Sequence, residues 1–145
     1  MKKIVYVDMD EVLVNFNKGY LDAIEINPTM KYPQAEYGFW VNLEPVEGAI
    51  SAMKDVISSE KYDVYILTAP SIHNPLCYAE KRVWIEKYFG LDFVNKLIIS
   101  PNKGLSKGEY LIDDNINGKG QENFEGELIH FTSKKFPDWV SVRNY

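Results

Sequence analysis

Four aspartates stand in two short clusters, Asp8-Met9-Asp10 near the amino terminus and Asp113-Asp114 late in the chain. Between them come Thr68, within Leu67-Thr68-Ala69-Pro70, and Lys103, within Pro101-Asn102-Lys103-Gly104. Brought together, four carboxylates repel one another, which raises some of their pKa values and opposes folding unless a cation intervenes. All-oxygen ligation without a histidine or thiol cluster favours Mg2+ over zinc. Sparse protein ligation leaves room for waters and a phosphate oxygen, and a hydroxyl and an ammonium opposite the metal complete a site for a dianion. The chemistry open to these residue types in concert is therefore phosphate chemistry. Taken singly, each has an ordinary use: an Asp-x-Asp after a strand caps a helix or sits in a solvated loop, Thr68 is a strand residue, and Lys103 is a turn lysine. Their joint placement carries the functional reading, so it depends on the elements that hold them.

Residues 3–8 form a β-branched and aromatic run that ends abruptly in carboxylates, the pattern of a central parallel strand covered on both faces. Similar runs occupy residues 62–68, 96–100, 110–112 and 127–131, each closed by polar or turn-forming residues. Helical spacing falls between them. In residues 48–59, Ala49, Ile50, Met53, Val56 and Ile57 line one face. Residues 75–89 follow Asn74-Pro75, read as N-cap and first-turn proline, and stop at Gly90. On this second helix Cys77, Trp84, Ile85 and Tyr88 make the apolar stripe, and Glu80, Lys81, Glu86 and Lys87 are expected to look outward.

This alternation predicts an α/β fold with a doubly wound, Rossmann-type parallel sheet. Ligands in such sheets bind beyond the carboxyl ends of the strands, which is where the aspartates, Thr68 and Lys103 fall. One stretch breaks the alternation, because about 35 residues separate the first strand from the helix at 48, more than a crossover loop normally needs. Phe16, Tyr20, Leu21 and Ile24 predict a helix there, and Pro28, Pro33 and Gly38 interrupt the chain before Phe39-Trp40. Residues 15–45 are thus expected to form a small helical cap insertion within a single domain spanning 1–145. Residues 118–120 are expected to be a surface turn.

Composition narrows the function classes. A chain of 145 residues matches one domain, and 46% apolar with 26% charged residues excludes a disordered chain. No apolar run approaches the ~20 residues of a membrane span, so no membrane partner is expected. The net charge of −5 argues against a nucleic acid polymer as partner. Cys77 is the sole cysteine, so no intramolecular disulfide can form; it is expected to be a buried small apolar residue. The amino terminus reaches Asp8 too soon for a signal peptide, and a cytoplasmic location is expected. His73 is expected at the surface, and Trp139 is expected to pack the carboxyl-terminal segment onto the body.

The motifs together resemble the haloacid dehalogenase (HAD) superfamily of phosphatases and, within it, the 5′(3′)-deoxyribonucleotidases. The superfamily likeness rests on Asp8-Met9-Asp10-Glu11-Val12, Leu67-Thr68-Ala69-Pro70, Lys103 and Leu111-Ile112-Asp113-Asp114. Features closer to the nucleotidases are Phe16, Gly38-Phe39-Trp40-Val41, Leu43-Glu44-Pro45 and residues 80–90. The likeness runs from about residue 4 to 115 and is looser over the last 30 residues. The insertion is shorter than in the animal members, Glu11 stands where the family often has glycine, and Ala69 replaces a serine.

The resemblance implies a Mg2+-dependent hydrolase of phosphomonoesters, with a nucleoside monophosphate as its small-molecule partner; it leaves a homodimer open. It implies that Asp8 attacks phosphorus to form an aspartyl-phosphate and that Asp10 serves as acid and then base. Mg2+ would be held by Asp8, the Asp10 carbonyl and Asp114, and Asp113 would orient a metal-bound water or Lys103. Thr68 and the Ala69 amide would hold phosphate oxygens, Lys103 would neutralise charge, and Lys81 matches a family lysine on the phosphate side. Phe16, Phe39 and Trp40 would wall the nucleobase, with stacking worth ~1–3 kcal/mol; alternatively, they form the insertion's own core. Three other readings stay open: a phosphatase of another small phosphoester, a non-catalytic phospho-acceptor, and a degenerate binding module.

Overall fold

The computed structural model describes residues 1–145. Five strands, β1 (Lys3–Val7), β2 (Tyr62–Thr68), β3 (Leu97–Ile99), β4 (Tyr110–Asp113) and β5 (Glu127–His130), form one sheet in the order β3-β2-β1-β4-β5. Every pairing is parallel. Each strand lies within one residue or so of its expected run, because β-branched and aromatic stretches closed by polar residues specify both where pairing starts and where it stops. The chain steps outward from β1 to β2 and β3, then crosses back to lay β4 on the other side of β1. The strand order therefore reverses between β1 and β4, and a crevice opens beyond their carboxyl ends. The Asp8 amide donates to the Ile112 carbonyl at 2.9 Å, so the first aspartate cluster is registered directly against the second.

The two faces of the sheet are covered differently. Val5, Val7, Ile66, Ile112 and Ile129 pack under helices α2 (Ala49–Ser58), α3 (Cys77–Phe89) and α4 (Trp139–Asn144) in the larger core cluster. On the opposite face Tyr6, Leu67, Leu111 and Phe124 form a smaller cluster, and the returning connections cover it with loops and short 3-10 turns. Tyr6 donates its hydroxyl to the Lys107 carbonyl at 2.7 Å. A Cβ at Gly108 would sit 2.7 Å from the Tyr6 ring, so only glycine lets that strand-crossing loop lie this close.

Helix α1 (Phe16–Ile26) and a 3-10 turn at Pro33–Ala35 make up the insertion between β1 and α2. Helix α3 starts at Cys77, two residues later than the Asn74-Pro75 pattern predicts. Asn74 is fully buried and holds the Leu76 amide at 3.0 Å, while its own amide donates to the Gln34 and Glu36 carbonyls at 3.3 and 3.2 Å. Asn74 thus holds the turn that leads into α3 and at the same time ties the insertion to the β2–α3 connection. Trp139 is buried as expected and donates its indole N–H to the Val12 carbonyl at 2.8 Å. Cys77 is buried, and His73 is exposed.

Candidate active site

β1 and β4 end side by side, and the carboxylates of Asp8, Asp113 and Asp114 converge with oxygens all within 4.8 Å of one another. Lys103 reaches them from the turn after β3. Its ammonium donates to Asp8 Oδ1 at 2.8 Å and to Asp113 Oδ2 at 2.5 Å, and all three side chains are buried. One ammonium does not balance three carboxylates. Burial pushes the Asp8 carboxyl well above the ordinary range, with Lys103 opposing and Asp113 and Asp10 adding to the rise. Burial likewise pushes Asp114 up to about 6. For Lys103, burial favours the neutral amine, but the charges of Asp8 and Asp113 outweigh it and its pKa is raised.

Asp114 Oδ1 is buried without a hydrogen-bond partner. An excess of buried, hard carboxylate oxygens with one left unpaired fits a divalent cation of the Mg2+ class. Asp113 is already occupied by protein donors: Oδ2 accepts from Lys103 and from Gln121 Nε2 at 3.3 Å, and Oδ1 from the Asn115 amide at 2.9 Å. The His130 Nε2 lies 3.0 Å from the Asp114 carbonyl oxygen, which fixes the end of β4 against β5.

Asp10 and Lys81 form a second pair. Met9 to Val14 turn tightly, with the Val12, Leu13 and Val14 amides all donating to the Met9 carbonyl, and this turn aims Asp10 at α3. Contrary to the expectation from the helix stripe, Lys81 does not look outward: it is 1% exposed. Its ammonium donates to Thr68 Oγ1 at 2.5 Å, the Ala69 carbonyl at 2.9 Å and Asp10 Oδ2 at 3.2 Å, and lies 4.8 Å from the Trp40 ring centre. Glu80 also turns inward, accepting from the Val41 amide at 3.2 Å. A helix stripe shows which residues are apolar, not what a neighbouring element brings; here it brings a carboxylate, a hydroxyl and an aromatic face that take up a buried charge. Thr68 itself is fully buried; its hydroxyl accepts from Lys81 and donates to the Ala69 carbonyl at 3.5 Å.

Asp8, Asp10, Asp114, Lys103, Ala69, Phe16 and Trp40 line one cleft of about 330 Å3. Phe39 stands behind it, edge-on to Phe16 and Trp40 with ring centres 5.6 and 5.4 Å away. Phe16 and Trp40 lie 5.4 Å apart, so the aromatic residues both wall the cleft and pack on one another. The Glu11 carboxylate accepts the Asn17 amide at 2.6 Å and so engages the first turn of α1, and Glu11 holds a left-handed φ of 66°.

Pro70, from the Leu67-Thr68-Ala69-Pro70 motif, also lines the cleft, as do Gln34, Ser71, Asn115, Lys119 and Gln121, none of which the sequence singled out as a site residue. Residues 118–120 form a surface turn as expected, with Gly118 and Lys119 exposed, and the turn also docks against Lys103, whose amide donates to the Lys119 carbonyl at 2.6 Å. The readable signal is Gly120, whose lack of a side chain lets this backbone approach the Lys103 turn closely.

A family model described as "5' nucleotidase, deoxy (Pyrimidine), cytosolic type C protein" matches residues 25–137. The chain belongs to this family. A protein of Vibrio phage KVP40 assigned to the 5′(3′)-deoxyribonucleotidases is 41% identical over 99% of this chain and 84% of its own length. The human mitochondrial 5′(3′)-deoxyribonucleotidase is 32% identical over 81% of this chain, which spans 64% of the human protein. The 5′(3′)-deoxyribonucleotidase of Bacillus subtilis is 28% identical over 90% of this chain and 86% of its own length. Membership of this nucleotidase family, with the aspartate cluster at the strand ends, marks the chain as a phosphoester hydrolase of HAD type. No helix is long and apolar enough to cross a membrane.

Proposed function

We propose that the chain is a 5′(3′)-deoxyribonucleotidase that removes phosphate from deoxyribonucleoside monophosphates with the help of Mg2+. The observation that carries this reading is the single cleft in which Asp8, Asp10 and Lys103 lie under Phe16 and Trp40. It pairs a dianion site with aromatic faces suited to a base, and the names of the relatives add deoxyribonucleotides as the substrate class.

Asp8 is the nucleophile. Its carboxylate attacks phosphorus in line, a P–O bond forms to Asp8, and the bond to the sugar oxygen breaks. Asp10, held by Lys81, gives its proton to the departing alkoxide and then takes one from the water that hydrolyses the aspartyl-phosphate. Lys103 and the Ala69 amide hold phosphoryl oxygens, and Asp113 keeps Lys103 aligned on Asp8. Asp8 and Asp114, with the Asp10 carbonyl, would hold Mg2+, which supplies charge neutralisation for the phosphoryl group. Phosphoryl transfer asks the protein mainly for positioning and charge balance, so this short set is sufficient. Residues 15–45 serve as a cap whose Phe16 and Trp40 stack on the base, with Phe39 behind them.

The test is phosphate release from a panel of 5′- and 3′-deoxyribonucleotides, ribonucleotides and sugar phosphates, with Mg2+ or EDTA, and with Asp8→Asn as control. Metal-dependent release from deoxyribonucleotides, absent in the variant, is the expected result. Better turnover of sugar phosphates would keep the hydrolase and discard the nucleotide; no release from any phosphomonoester would discard both.

A further inference from the structure

Gln121 is a polar residue buried to 3% exposure at the floor of the cleft, and none of the roles above uses it. It opens a short 3-10 turn at Gln121–Asn123, far in sequence from Lys103 and from β1. Both ends of its amide are engaged. Nε2 donates to Asp113 Oδ2 at 3.3 Å, the same oxygen that receives Lys103, and Oε1 accepts the Lys119 amide at 2.8 Å. The Lys119 carbonyl in turn accepts the Lys103 amide at 2.6 Å. A closed circuit results, running from the Lys103 side chain through Asp113, Gln121 and Lys119 back to the Lys103 backbone.

The circuit is tight because the two turns are nearly in contact. A Cβ on Gly120 would meet Asn102 Oδ1 at 2.0 Å and the Lys103 amide nitrogen at 2.9 Å, and Gly120 has a φ of 86°. Asn102 in turn accepts the Gly104 amide at 3.1 Å, which shapes the Lys103 turn from within. Lys103 thus has its backbone and its ammonium held by one turn, with Gln121 the side chain that joins the two.

We propose that Gln121 is a positioning residue for the phosphoryl-transfer step, acting through Asp113 to hold the Lys103 ammonium on Asp8. The inference rests on the phosphomonoesterase reading above. A lysine that neutralises charge in a transition state must already point at it before reaction, since misalignment lowers turnover more than substrate affinity. The Asn115 amide holds Asp113 through Oδ1, and Gln121 supplies the one protein donor besides Lys103 on Oδ2, the oxygen that receives the ammonium. Gln121 thus sets the direction in which that oxygen presents itself to Lys103.

The test is a double-mutant cycle on the full chain with 4-nitrophenyl phosphate and Mg2+, using Gln121→Met, Lys103→Arg and the pair, with thermal midpoints recorded for each. Methionine keeps the length and removes both hydrogen bonds; arginine keeps the charge, so that background retains turnover to read. The expected result is a loss in kcat of about ten-fold for Gln121→Met, with KM within about two-fold, and less than a two-fold further loss when Lys103 is already arginine. An equal loss in both backgrounds would make Gln121 a packing residue and overturn the proposal, as would turnover within two-fold of wild type. If Gln121→Met does not fold, Gln121→Leu replaces it, likewise neutral and without either hydrogen bond; the same non-additivity is expected. Failure of the inference is distinct from failure of the reading beneath it: a wild-type chain that hydrolyses no phosphomonoester overturns both.

Discussion

Asp8 opposes stability in the fold and, in the mechanism we propose, serves as the nucleophile. Its carboxylate is buried beside Asp113 and Asp114 with only Lys103 to offset them. Asp8→Asn removes one of the crowded charges and leaves Lys103 paired with Asp113. We expect hydrolysis to fall by about three orders of magnitude or more, the scale seen when a nucleophile is removed. The metal-free variant is expected to melt at or above the wild-type temperature at neutral pH, as read by thermal denaturation in EDTA. Asp114 gives the corresponding pH dependence. Its carboxyl titrates at about 6 in the fold against about 3.9 in an unfolded chain. Between those values the folded state binds the extra proton, so stability in EDTA falls as pH rises through this window and then levels. Urea midpoints at pH 5 and pH 7 check this; the fall should be shallower in Asp114→Asn and with Mg2+ present.

At the scale of elements, the site is held by short pieces that reach across the molecule. Helix α4 has only six residues, too few to be stable alone. It is fixed by Trp139, whose ring lies 5.4 Å from Phe131 and whose N–H reaches Val12, inside the turn that presents Asp10. Trp139→Ala is expected to cost about 3–5 kcal/mol, read as a lower urea midpoint, with turnover falling as the Asp10 turn loosens. The stripe on α3 read correctly for Cys77, Trp84 and Ile85, all buried. It failed for Glu80 and Lys81, because their burial is decided by Val41, Asp10 and Thr68 arriving from other elements. The surface turn at 118–120 has a tertiary role of the same kind: Gly120 lies against the Asn102–Gly104 turn, a partner from another segment.

For the molecule as a whole, the proposed metal site would couple cation binding to folding. The carboxylate cluster exists only when β1 and β4 are paired, so a cation that binds the fold and not the unfolded chain stabilises it. Saturation at about a hundred times its dissociation constant adds about 2.7 kcal/mol. For a chain of this size that is a rise in thermal midpoint of roughly 5–10 °C. Calorimetry with Mg2+ against EDTA measures the rise, and Asp8→Asn should shrink it.

The sequence by itself determined the strands, the places where they end and the residue types gathered there. Those are local matters: a β-branched run stopped by carboxylates or proline needs no distant partner to be read, and a parallel sheet sends all such ends to one edge. Only the tertiary structure decided which groups those residues would face. Lys81 on Asp10, Gln121 on Asp113, His130 at the Asp114 carbonyl and Glu11 turned to α1 are each set by where a separate segment comes to rest. A buried polar side chain takes whatever partner the packing brings within about 3 Å, and that distance is a property of the assembled fold.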